Sequence, residues 1–136
     1  MSWIEDRIDA IYSRVKSKTM TALKREYPDL NFTMDDSENT DAKFPNVYMY
    51  FDVAERGQTL DGQAINAVFM TIRTKVSASK AQGNTVAQKV NAKVRDELKL
   101  LCFTASGAPI PTTLGDVKQI NANYGRIIGH DDPLII

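Results

Sequence analysis

Phe44-Pro45-Asn46-Val47-Tyr48-Met49-Tyr50-Phe51-Asp52-Val53 and, after a polar connector, Ile65-Asn66-Ala67-Val68-Phe69-Met70-Thr71-Ile72-Arg73-Thr74-Lys75-Val76 decide the fold of this chain. In the first run Val47, Met49, Phe51 and Val53 alternate with Tyr48, Tyr50 and Asp52, the period of a strand with one buried face. In the second, Ala64, Val68, Met70, Ile72, Thr74 and Val76 share one face. Ile65, Ala67 and Phe69 start the opposite face, which turns polar through Thr71, Arg73, Lys75 and Ser77. Two alternating runs in succession read as a β-hairpin. The connector, residues 54–63, exceeds the two to five residues of a tight hairpin loop. Its Glu55, Arg56, Gly57, Gln58, Asp61 and Gly62 make it a candidate contact arm on a rigid support.

Upstream, Ser2-Trp3-Ile4-Glu5 has the spacing of a capping box, so a helix starts here. Ile4, Ile8, Ile11, Val15, Ala22 and Leu23 form its apolar stripe, with Lys24 and Arg25 expected in the last turn and Pro28 as the stop. Leu30, Phe32 and Met34 alternate with Asn31 and Thr33, the pattern of a short strand. The acidic run that follows, Asp35-Asp36-Ser37-Glu38-Asn39-Thr40-Asp41, lacks the glycine and the late glutamate of a calcium loop and reads as a solvated segment.

Downstream of the hairpin the period changes to that of a helix. Asn84 or Thr85 is placed to cap it, and Val86, Val90, Val94, Leu98 and Leu101 form its buried stripe. Lys80, Lys89, Lys93, Arg95 and Lys99 lie off that stripe, a basic face interrupted by Asp96 and Glu97 and expected to be solvated. Ser106-Gly107-Ala108-Pro109-Ile110-Pro111 reads as an irregular connector, because proline removes a ladder donor. A last strand runs from Val117 to Ile128, with Ile120, Ala122, Tyr124 and Ile128 on one face and Asn121 and Asn123 on the other. Residues 129–136 form a polar tail with an apolar end, and Leu134, Ile135 and Ile136 are candidates for docking on a neighbour. The expectation is one α+β domain over residues 1–136. Its order is helix, short strand, long hairpin, helix and final strand, in a mainly antiparallel or mixed sheet with the helices on one face.

Composition narrows the function. The chain has 136 residues, 43% of them hydrophobic and 25% charged, an ordinary globular balance. Seventeen basic and 17 acidic residues cancel, so no global field draws the chain to nucleic acid or to an anionic membrane. No apolar run approaches the ~18 residues of a membrane span, and the N-terminus opens into a charged helix rather than a leader, so a cytosolic setting is expected. One cysteine, Cys102, cannot form an internal disulfide and fits a reducing compartment. The single histidine, His130, is far in sequence from Cys102, and His130-Asp131-Asp132 lacks a second ligand set at zinc spacing. No glycine-rich phosphate loop is present. The expectation is therefore a protein that is not an enzyme, with no catalytic, cofactor or metal site. Tyr48, Tyr50, Arg73 and Lys75 share the wetted hairpin face, where they suit either base stacking or a subunit interface. Neutral net charge favours the interface.

The element order and the wording of Phe44-Pro45-Asn46-Val47-Tyr48, Ile65-Asn66-Ala67-Val68 and Tyr124-Gly125-Arg126-Ile127-Ile128-Gly129 resemble the tail terminator, or tail completion, proteins of tailed bacteriophages. That resemblance implies a small α/β virion protein forming a homohexameric ring at the head-proximal end of the tail tube. Its implied partners are further copies of itself, the tube protein, a neck or head-completion protein, and a sheath where the tail contracts. Genome DNA passes through the ring without sequence-specific binding, and no membrane or cofactor is involved. The 55–63 arm would be the first candidate for touching the tube or an adjacent subunit. A head-closure or neck connector of the same particle is the nearest alternative, and a small nucleic-acid-binding regulator or enzyme is the further one.

Overall fold

The computed structural model describes residues 3–34, 43–58 and 65–132, with the backbone alone at 55–58, 65, 66 and 114. The elements are α1 (Trp3–Leu23), β1 (Asn31–Thr33), β2 (Asn46–Gln58), β3 (Ile65–Ala78), α2 (Gly83–Leu100), β4 (Thr104–Ala105), β5 (Ile110–Leu114) and β6 (Val117–Gly129). The strands make one sheet in the order β1-β2-β3-β6-β4, with β5 also paired to β6. β1 runs parallel to β2 and every other pair is antiparallel. This is the α+β single-domain fold expected, with both helices on one side of the sheet.

β3 is the centre. It pairs with β2 from Asn46↔Ser77 to Gln58↔Ile65, and with β6 from Ala67↔Gly129 to Ala78↔Lys118. That double register aligns three inward rows: Val47 and Met49; Val68, Met70, Ile72 and Val76; and Ile120, Tyr124 and Ile128, all buried. α1 covers them with Ile11, Val15, Thr19 and Leu23, and α2 with Ala87, Val90, Val94 and Leu98. Thr19 takes the place assigned to Ala22, which is exposed, because steps of four from Val15 reach Thr19 and then Leu23.

Several expectations are corrected. β2 and β3 remain paired out to Gln58 and Ile65, so residues 54–58 of the expected connector are strand. The ladder is built from main-chain groups and persists after side-chain alternation ends. Of the expected arm, Glu55, Arg56, Gly57 and Gln58 therefore belong to β2, while Asp61 and Gly62 lie outside the described residues. α1 ends at Leu23, ahead of Lys24 and Arg25, and the Lys24 ammonium instead donates to the Leu30 carbonyl at 2.9 Å. The Ser2 cap and the acidic run 35–41 lie outside the described residues.

At α2 the N-cap is Gln82, without a side-chain cap, rather than Asn84 or Thr85, and Ser79 and Gln82 form a turn just ahead of it. The Ser79 N–H donates to Gln82 Oε1 at 3.1 Å and the Gln82 N–H to Ser79 Oγ at 3.3 Å, a reciprocal turn one step ahead of the helix. Gly83 follows at φ +76°, a conformation that costs a side-chain-bearing residue and lets the chain pass from this turn into the helix. The proline-rich connector also contains structure: β4 and β5 line the outer side of β6, with Pro111 opposite Ile120. An edge strand tolerates a missing N–H, so proline did not prevent pairing there. The basic face of α2 is partly neutralised by neighbours rather than simply solvated. Lys89 reaches both Glu26 carboxylate oxygens at 2.8 and 2.5 Å, which raises its pKa through that hydrogen bond. Lys93 lies 2.9 Å from Glu97.

Two predictions follow from the packing. The Phe69 ring lies across Gly125 on the neighbouring strand, and a Cβ there would sit 2.6 Å from Phe69 Cζ. Gly125→Ala should cost about 1 kcal/mol in urea unfolding, and most of that cost should vanish in a Phe69→Ala background. Tyr124 is buried, and burial raises its pKa above 10.0 against the lowering pull of Arg95 and of the neighbouring Thr74 hydroxyl. The unfolded chain then loses its Tyr124 proton at lower pH than the folded one. The stability is intact below pH ~10 and declines as pH climbs toward the folded value. Tyr124→Phe should be near neutral at pH 7 and flatten the alkaline limb of a pH–stability curve.

Candidate functional site

The register places the side chains that point away from the helices in four adjoining rows. Tyr48, Lys75 and Asn121 stand side by side on β2, β3 and β6, and Tyr50, Arg73 and Asn123 form the next row. Asp52, Thr71 and Gly125 follow, then Ala54, Phe69 and Ile127. No described helix covers this face. The four residues proposed from sequence, Tyr48, Tyr50, Arg73 and Lys75, are thus brought together as expected.

Each cation leans on a ring. Lys75 Nζ lies 5.8 Å from the Tyr48 centroid and Arg73 Cζ 6.0 Å from the Tyr50 centroid. Arg73 Nη2 also lies 3.7 Å from Asp52 Oδ2, in a pair whose side chains are both more than half exposed. A concavity of about 280 Å³ runs between the tyrosines and Asn121 and Asn123, with Thr74 and Ala122 at its floor. Flat rings held against cations make a surface that can bury aromatic area while keeping its charges hydrated at the rim.

Sequence reading missed part of this surface. Five described large apolar side chains are exposed, Met34, Tyr50, Leu100, Ile110 and Ile127, and three of them, Tyr50, Ile110 and Ile127, belong to this face. Ile127 was legible, since it shares the parity of Asn121 and Asn123. Ile110 was hidden because its strand, opposite Asn121, looked like a proline-interrupted loop.

The C-terminal segment docks on its own chain as far as it is described. The Arg7 guanidinium donates to the His130 carbonyl at 3.1 Å, and the Trp3 ring meets the His130 ring edge-on at 5.4 Å. Asp132 pairs with Arg126, which also donates to the Leu101 carbonyl at 2.9 Å. His130 and Asp132 thus close the domain, while Leu134, Ile135 and Ile136 lie outside the described residues. Among the described residues no group of three His, Cys, Asp or Glu side chains is placed to hold a metal ion. No described helix is long and apolar enough to cross a membrane. Cys102 is exposed.

No family model and no curated protein matches the chain. Sixteen solved chains match. One of them, 16% identical, aligns over 92% of this chain and 94% of its own length with a TM-score of 0.53, a likeness of fold alone.

Arg73→Ala removes one ring contact and one exposed ion pair and nothing from the core. It should lower stability by no more than about 1 kcal/mol in chemical denaturation, which makes it a clean probe of the surface.

Proposed function

We propose that this chain is a structural virion protein. It forms a homohexameric ring that caps the head-proximal end of a phage or phage-like tail tube, ends tube growth and joins the tail to the neck. The observation that carries the reading is the uncovered sheet face, on which Tyr50, Ile110 and Ile127 are exposed around Arg73 and Lys75. Exposed apolar and aromatic groups gathered on one face mark an interaction surface, and tyrosine and arginine are enriched where subunits meet.

The sequence resemblance supplies the particular assembly, and two of its three stretches are neighbours in space. Ala67 and Val68 of the second lie opposite Gly129 and Ile128 of the third, so both belong to one edge of the β3–β6 ladder. A ring requires two different surfaces on each subunit, because head-to-tail contacts close a cycle. The open sheet face is the first of these. The tube protein, the neck protein and, in a contractile particle, the sheath are the partners this role implies.

The test is electron microscopy of particles made without this gene. Overlong or headless tails beside filled heads are the expected outcome; normal tails on leaking heads would assign the chain to head closure, and unaffected particles would sink both. At the level of the purified protein, Ile127→Glu should abolish ring formation in size-exclusion chromatography while leaving the melting temperature within a few degrees of the parent.

A further inference from the structure

A second concavity, about 350 Å³, lies where α2 meets the β5–β6 edge. Its volume falls within the ~300–1,000 Å³ usual for ligand sites. Pro109, Pro111, Ile120 and Ala92 give it stiff apolar walls. Asn91 also lines it; this side chain is 5% exposed, and its carboxamide oxygen has no hydrogen-bond partner among the described residues. Turned over about its last torsion, the amide presents either an N–H or an oxygen to the concavity. Arg95 also lines it, its nearest acid among the described residues being Asp96 at 3.9 Å, too far for a hydrogen bond. These groups fit an extended aliphatic peptide: apolar side chains against the prolines and Ile120, a main-chain amide at Asn91, and an acid at Arg95.

The chain contains one segment of that chemistry, Asp131-Asp132-Pro133-Leu134-Ile135-Ile136. We propose that Leu134–Ile136 of a second copy seats in this concavity, with the fully exposed Asp131 directed to Arg95. Geometry argues for a second copy. At 100° per residue, Asn91, Ala92 and Arg95 lie roughly opposite Glu97 on α2, and Glu97 faces α1 through Arg14. His130 rests on Trp3 of α1, and Asp132 is tied through Arg126 to Leu101 at the far end of α2. Residues 133–136 reach at most about 14 Å when extended, while Ile120 in the concavity lies six residues, about 20 Å, along β6 from Arg126, which holds Asp132. The segment therefore serves a neighbour. The inference holds whether or not the assembly caps a tail tube.

Full-length chains carrying Ile127→Glu, so that the sheet face does not mask this contact, are compared by sedimentation velocity. The chain with its segment and concavity intact should self-associate. Ile135→Asp should weaken that association about tenfold or more without lowering the melting temperature. Asn91→Leu, of similar shape, should weaken it about as much while leaving the melting temperature equal or higher, since an unpartnered oxygen is removed; a purely structural Asn91 would instead lower it. Ala92→Trp, which fills the concavity, should fail alone but associate when mixed with Ile135→Asp, because each then supplies the half the other lacks. Should Ala92→Trp not fold, Asn91→Leu takes its place in the mixture. A chain that stays monomeric, a mixture that does not associate, or variants that associate like the parent would overturn the proposal.

Discussion

The alternation along β3 is the constraint on which the rest depends. A strand paired on both sides for eleven residues transmits its parity to its neighbours, so Val68, Met70, Ile72, Val76 and Ala78 determine which face of β2 and β6 is buried. A slip of one residue would send the whole apolar set to the solvent face, which makes this register energetically steep. Both helices then have one surface to cover. The opposite face carries Lys75, Arg73 and Thr71 in the same strand and is left open by the same parity.

Helix packing over that surface includes a buried carboxylate. Glu97 is 5% exposed between α1 and α2, with Lys93 at 2.9 Å and Arg14 at 3.8 Å. Desolvating a charge is costly unless it is paired, so the two helices are constrained to the relative position that brings a cation from each to the same acid. The ends of the layer are closed by lighter contacts: Lys89 on Glu26 at one end, and Arg126 with Asp132 beside Trp3 and His130 at the other. The domain is thus stapled at its centre and at both ends of its helix pair.

The two concavities sit on surfaces that the core does not need. One lies on the open sheet face among tyrosines and cations, and the other lies behind α2 among prolines. Both offer apolar area framed by polar groups. A subunit with two such unlike surfaces can join copies head to tail, which a single self-complementary patch cannot do.

Local patterning in the sequence determined the strand faces, the apolar stripe of α2 and the grouping of Tyr48, Tyr50, Arg73 and Lys75. Each depends only on a period of 2 or 3.6 residues carried by the chain itself. Tertiary structure alone decided how far the hairpin pairs, that Ile110–Leu114 forms a strand despite Pro111, and that a Ser79–Gln82 turn leads into α2. It also decided that Glu97 is buried and that Ile110 joins Ile127 on the open face. The physical reason is the same throughout: ladder pairing, charge burial and edge tolerance depend on which main-chain and side-chain groups arrive from distant parts of the chain. Sequence spacing does not encode that meeting.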